Sequence, residues 1–377
     1  MLDDITQAVL ARDEVARYLR GGQGQTELEA KERIHAYLDE LRTTQRYPIY
    51  RALKHPLYPI LRKIDRIHEH VEIAQRAARQ HRVIYISNHK SHLDYLIEPL
   101  VLDDCGIRPP VIAAGINLFG GPLGLLHRHV TGAIPIRRNT KDPAYLVTLK
   151  AYVAELLRRH DLLFYIEGGR SYSGELKPPK TGLLHAAMHV DRSEVVIVPI
   201  AVAYDIVLED HIIAHQASRR SHRPFAREVA EMARYAVGYQ SRAFVTFGDA
   251  IRFDDIDPES RRDVMNLAHH TRETVGRLHK VLPTAVIANV VKRSMTRQEL
   301  ESGCDALIDT LRERGANLGV TSGRQAIEEG LQPLADRNII HLERGGRVRV
   351  RERTVLKYYA RTLQHLLSAP RRSPRTH

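Results

Sequence analysis

The sequence predicts an α/β fold: a mixed, mostly parallel sheet flanked by helices, with helical additions at both ends. Three observations carry that expectation. Between Arg82 and Ile251 short β-branched runs alternate with helical stretches, the pattern of a sheet covered on both faces. The strand candidates are apolar along most of their length. The segments before and after this region lose the β-branched runs and show helical spacing instead.

The first 80 residues read as a helical region. In "TELEAKERIHAYLDELR" a Thr cap, an early Glu and apolar residues at helical spacing define one helix. "RYPIYRALKHPLYPILRKIDRI" mixes aromatics, prolines and bases. It reads either as a helix edge packed on the main domain or as an interfacial anchor at headgroup level. "HEHVEIAQRAARQH" resumes the helical pattern.

Residues 81–254 form the expected α/β domain. Its strands are "RVIYIS", "PPVIAAG", "GAIPIRR", "DLLFYIEGG", "EVVIVPIAVAYD" and "RAFVTFGDAI". Helices such as "AYLVTLKAYVAELLRRH" and "TGLLHAAMHV" lie between them. Residues 255–368 read as mainly helical, with a hairpin signal at Gly345-Gly346. Residues 369–377 read as a disordered basic tail.

A composition of 43% hydrophobic and 27% charged residues excludes global disorder. Two distant cysteines, Cys105 and Cys304, outside any C-x-x-C spacing, argue against a disulfide framework or a structural zinc site. The opening "MLDDITQAVL" lacks the basic start and apolar core of a secretory signal. "PPVIAAGINLFGGPLGLL" is long enough to raise a membrane span, but glycines and prolines interrupt it. It is expected to be a strand followed by a greasy loop. A net charge of +12 favours anionic partners: nucleic acid, a phospholipid surface or phosphorylated small molecules.

Three clusters carry chemistry, all beyond the carboxyl ends of predicted strands, where α/β sheets hold ligands. In "SNHKSHLDYL", His89 follows the strand and Asp94 falls in the first turn of the next helix. Asp94 can then accept from one ring nitrogen and leave the other as a base. A substrate hydroxyl can supply the nucleophile. In "GAIPIRRN" a strand delivers Arg137 and Arg138, whose planar forks suit phosphate oxygens. In "FYIEGGRSYSGELKPPKTG", Gly168 and Gly169 permit a tight turn that can aim Arg170 inward, with Ser171 beside it. Glu167 is placed to hold an arginine or the turn. Lys180, just ahead of a helix, would add positive potential. Each cluster alone also has a plain structural reading: a capping His, a solvated Arg pair, a Gly-rich turn.

The order "NHKSHLD", "GAIPIRR", "YIEGGRSYSGELKPPKTG" and "IVPIAVAYD" resembles the four-block signature of glycerolipid acyltransferases. More narrowly it resembles the branch holding glycerol-3-phosphate and dihydroxyacetone-phosphate acyltransferases. Pro135 and Tyr172 depart from that pattern. The resemblance implies acyl transfer from acyl-CoA or acyl carrier protein to the sn-1 hydroxyl of glycerol 3-phosphate. His89 would be the base, Asp94 its support, and Arg138 with Arg170, Arg137 and Lys180 the phosphate grip. Backbone N–H groups near Gly168 and Gly169 would be candidate oxyanion donors. No metal or redox cofactor is implied, and the expected seat is peripheral, on the cytoplasmic face of the membrane. Dihydroxyacetone phosphate or a lysophospholipid is the alternative acceptor.

Nucleic-acid binding is the rival of another class, because the segment Ser322–Val350 could mimic a winged helix. Glu328, Glu329 and Asp336 in its would-be recognition region count against it.

Overall fold

The computed structural model describes residues 2–21, 26–49, 52, 64–116, 132–216 and 240–368. Most of the basic-aromatic stretch, the greasy loop after Ile116 and the basic tail lie outside these residues.

Three helices, α1 (Leu2–Leu10), α2 (Asp13–Arg20) and α3 (Glu27–Leu41), open the chain. The third starts with the expected capping box, Thr26 and Glu29 exchanging side-chain and backbone hydrogen bonds. A seven-stranded sheet follows, built from β1 (Ile64–Glu69), β2 (Arg82–Ser87), β3 (Val111–Gly115), β4 (Ala133–Ile136), β5 (Leu162–Tyr165), β6 (Val195–Tyr204) and β7 (Ser241–Phe247). Its order is β1-β7-β6-β2-β5-β3-β4. Five neighbouring strands run parallel. The β1/β7 pair runs the other way, because β7 is antiparallel to β6. The sheet is therefore mixed and mostly parallel.

The first strand lies ahead of the expected boundary at residue 80. The sequence hides it: "IDRIHE" has one buried residue, Ile64, and no apolar alternation. It forms by pairing six residues with β7. Pro135, which has no N–H to donate, sits on edge strand β4, where no second neighbour needs one.

The intervening helices are α4 (Val71–Gln80), α5 (Asp94–Asp104), α6 (Pro143–Leu157), α7 (Gly182–Ala187) and α8 (Asp210–Gln216). Strand β2 shows how two cores arise. Its pleat sends Val83 and Tyr85 to one face and Ile84 and Ile86 to the other. The first pair packs with α5 and the C-terminal helices, the second with α6, α7 and the N-terminal helices.

The C-terminal region adds α9 (Arg261–Leu278), α10 (Pro283–Val290), β8 (Ser294–Thr296), α11 (Arg297–Glu313), α12 (Gly323–Asp336), β9 (Ile340–Leu342), β10 (Arg347–Val350), α13 (Arg353–Arg361) and α14 (Gln364–Ser368). The hairpin at Gly345-Gly346 is present as β9 and β10, and β8 joins it to give the order β8-β10-β9. From α10 to β10 this is winged-helix topology. The would-be recognition helix α12 turns its acids to other tasks: Glu328 pairs with Arg324, and Glu329 with Arg242 of the main sheet. Among the described residues no helix is long and apolar enough to cross a membrane.

Candidate active site

Strand β2 ends at Ser87, and the next residue anchors the loop. Asn88 copies a backbone unit, donating to the Val202 carbonyl at 2.9 Å and accepting from its N–H at 2.8 Å. His89 follows, and its Nδ1 lies 2.9 Å from Asp94 Oδ2. That oxygen also accepts the backbone N–H groups of Lys90 (2.6 Å) and Ser91 (2.9 Å). The Tyr204 hydroxyl donates to Oδ1 at 2.6 Å. A carboxyl group so placed, in the first turn of α5, faces four donors and the helix N-terminus. Nδ1 must therefore carry the proton, leaving Nε2 with its lone pair.

The His89 ring stacks on Tyr165, with centroids 4.0 Å apart and planes 11° from parallel. Burial lowers its pKa. Asp94 opposes the shift, and the positive charges of Arg170 and Arg138 reinforce it. The imidazole is neutral at neutral pH, as a base must be.

The arginines divide. Strand β4 ends at Ile136, and the two side chains that follow it part company. Arg137 turns to the N-terminal layer, where its fork binds Glu40 (Nε to Oε1, 2.6 Å) and covers the rings of Tyr37 and Tyr145. This removes it from the expected phosphate grip. Arg138 goes the other way, across the end of β3. A Cβ added to Gly115 would lie 2.9 Å from its Nη2, and one added to Gly169 would lie 3.4 Å from its Nη1. Only a residue without a side chain at 115 lets the guanidinium reach back towards the β5 loop.

Arg170 is buried, with its guanidinium 5.4 Å from the centre of the Tyr172 ring. Lys180 is exposed, and its stem lies over Gly168, which takes a φ of +66°. Gly168 donates its own N–H to the Tyr165 carbonyl at 3.0 Å, so that group is not free to serve an oxyanion.

Glu167 holds the turn, one of the two roles expected of it. Oε1 accepts the His89 N–H at 3.0 Å, and Oε2 accepts the Lys177 N–H at 2.9 Å. Ser171 closes the other side: its N–H donates to the His89 carbonyl at 2.9 Å and its hydroxyl to the Glu175 carbonyl. The backbone of the histidine is thus clamped by the loop that carries Arg170.

The acyltransferase family profile matches residues 68–203, which contain His89, Asp94, Arg138, Glu167, Arg170 and Lys180. Residues 68–203 form an acyltransferase-family domain. The chain is 29% identical over 321 residues to the glycerol-3-phosphate acyltransferase of Aeromonas hydrophila, covering 76% of this chain and 39% of that protein. It is 27% identical over 339 residues to that of Pseudoalteromonas translucida, covering 79% and 41%. The chain therefore spans about two-fifths of the length of these curated relatives. Among solved structures, the 1-acyl-sn-glycerophosphate acyltransferase of Thermotoga maritima aligns over 73% of this chain and 96% of its own, at 14% identity and a TM-score of 0.37.

The acyltransferase domain uses residues that the sequence did not single out. Glu98, one turn beyond Asp94, is fully buried and accepts from the Tyr165 hydroxyl at 2.9 Å. Burial, and after it the Asp94 charge, raise its pKa well above the ordinary carboxyl range. Lys177 donates to the Arg170 carbonyl at 2.6 Å and adds a cation beside both site arginines. A lone tyrosine ending an otherwise apolar strand was the one sequence signal for Tyr204.

The C-terminal region braces the same loops. Arg272 of α9 donates to the carbonyls of Lys177 (2.8 Å) and Leu176 (2.7 Å). Tyr358 of α13 donates to the Lys90 carbonyl at 3.3 Å, and buried Lys90 Nζ donates to the Gly174 carbonyl at 2.7 Å.

Proposed function

We propose that this chain transfers a fatty acyl group from acyl-CoA or acyl carrier protein to the sn-1 hydroxyl of glycerol 3-phosphate, forming lysophosphatidic acid. The observation that carries the reading is the Nδ1 contact of His89 to a fully engaged Asp94, with Arg138 and Arg170 close enough to depress the His89 pKa. Base and phosphate grip then address one small molecule. The names of the two relatives support this acceptor.

Nε2 of His89 takes the proton of the sn-1 hydroxyl as its oxygen attacks the thioester carbonyl carbon. Asp94 stabilises the imidazolium that results. The tetrahedral intermediate collapses by breaking the carbon–sulfur bond, and the departing thiolate takes the proton back from Nε2. Such a base contributes about 10²–10⁴-fold. Arg138 and Arg170, with Lys180 at the rim, hold the phosphate so that the hydroxyl faces the ring. The thioester supplies the acyl group, so the chemistry asks for no metal or redox group. The net charge of +12 suits a peripheral seat on the anionic cytoplasmic face of the membrane.

Free-thiol release from acyl-CoA, measured with and without glycerol 3-phosphate, tests the proposal. Acceptor-dependent release that disappears in His89→Ala, with an unchanged melting temperature, is expected. An active, folded His89→Ala protein would refute the base assignment. Release driven by dihydroxyacetone phosphate or a lysophospholipid, but not by glycerol 3-phosphate, would transfer the reading to that acceptor.

A further inference from the structure

Away from His89, two histidines are set one helical turn apart. His185 lies on α7 and His189 just past its end, and their Nε2 atoms are 3.4 Å apart. The rings meet edge to face with centroids 5.0 Å apart. The third member is Glu259, from the turn before α9. One ligating atom from each of the three residues lies within 4.8 Å of the others.

The spacing has a physical meaning. A tetrahedral zinc ion with bonds of about 2.0–2.1 Å to nitrogen holds two imidazole nitrogens about 3.4 Å apart. The two Nε2 atoms already stand at that separation. Glu259 Oε1 lies 4.0 Å from His189 Nδ1, the other nitrogen of that ring, and its side chain is 76% exposed, so it is free to swing round towards the Nε2 pair.

We propose that His185, His189 and Glu259 bind one divalent transition-metal ion of the zinc class, with water completing the tetrahedron. Both imidazoles are ready as ligands. Burial and the nearby Lys150 lower their pKa values, that of His189 to about 4, so neither proton has to be displaced at neutral pH. Lys150 opposes a dication and Glu259 favours it, while the negative charge of Glu14 is offset by its ion pair with Arg12.

The ion's role is a clip rather than chemistry. It fastens α7, which follows the loop of Arg170 and Lys180, to the segment entering α9. The His189 carbonyl meanwhile accepts from Arg12 of the N-terminal helices at 3.0 Å. Three parts of the chain converge there.

The test uses the untagged full chain, stripped with chelator and titrated with Zn²⁺ against a chromogenic zinc indicator, with melting temperature read in parallel. One ion per chain is expected, with a higher melting temperature in its presence. Affinity should fall at least tenfold in His189→Ala and in the surface variant Glu259→Gln, which carries little risk to folding. His211 and His215 form the control pair: also one turn apart, they bond backbone carbonyls through His211 Nε2 and His215 Nδ1. His211→Ala/His215→Ala should bind zinc as the parent does. Affinity unchanged in both site variants, or no stoichiometric binding, would overturn the proposal and leave a plain N–H···N hydrogen bond between the rings.

Discussion

Replacing Asp94 by Asn separates the charge of this carboxylate from its geometry. Oδ2 accepts from two backbone N–H groups as well as from His89. An amide NH₂ in that position would face two donors, so the Asn oxygen must take it and the NH₂ must face Tyr204, whose hydroxyl can rotate to accept. His89 then keeps its tautomer and loses only the neighbouring negative charge. Two unit charges about 4 Å apart interact by about 4 kcal/mol at an effective dielectric of about 20, which is the ceiling. A charge-assisted bond exceeds a neutral one by about 1 kcal/mol, which is the floor. At about 1.36 kcal/mol per decade, kcat/KM for thiol release should fall between roughly 5- and 10³-fold. The melting temperature should change little, whereas Asp94→Ala would orphan several buried donors at about 1–3 kcal/mol each. Loss of the Asp94 charge also lowers the His89 pKa further, so the acidic limb of the pH profile should move to lower pH. A fall under threefold would refute electrostatic support of the base. A fall near 10⁴-fold, the scale of a lost tautomer, would refute the oriented amide.

Arg138→Ala should do the reverse to the pH profile. Arg138 depresses the His89 pKa, so its removal raises that pKa, and activity, which needs the neutral ring, should fade at a higher pH than in the parent. An unmoved limb with unchanged acceptor KM would take Arg138 out of the site. Gly115→Ala should raise the acceptor KM several-fold with little loss of stability, because the new methyl meets the movable end of Arg138 and not backbone. Saturation curves and melting temperatures check both halves of that statement. Glu98→Gln should cost little, since the amide oxygen can still accept from the Tyr165 hydroxyl, while Glu98→Leu orphans that hydroxyl at a cost of about 1–3 kcal/mol and frees the ring beneath His89. Equal kcat in the two variants would show that Tyr165 needs no such anchor.

The sequence was most readable where function and local chemistry coincide. His89, Asp94, Arg138 and Arg170 follow strands whose apolar runs announce them, and the structure gathers all four at one end of the sheet. Glu167 was legible as a bracing residue, though not what it would brace: its partners, the N–H groups of His89 and Lys177, are separated from it by very different lengths of chain. Arg137 could not be told from Arg138 by composition. Tertiary contacts decided between them: Glu40, from a helix nearly 100 residues earlier, captured Arg137. Strand β1 was illegible because its stability comes from pairing with β7 and not from its own side chains.

The sequence alone settled what depends on neighbours along the chain: the alternation of strands and helices, the capping box at Thr26, and a histidine five residues ahead of a carboxylate. Tertiary structure decided everything that depends on residues distant in sequence. It selected which guanidinium lies near His89, recruited Tyr204 and Glu98 around the His89–Asp94 pair, and laid Arg272 and Tyr358 against the loops that follow β2 and β5. Pattern along a chain reports the period of its secondary structure, but a hydrogen bond between residues 94 and 204 exists only after the sheet has brought their strand ends together.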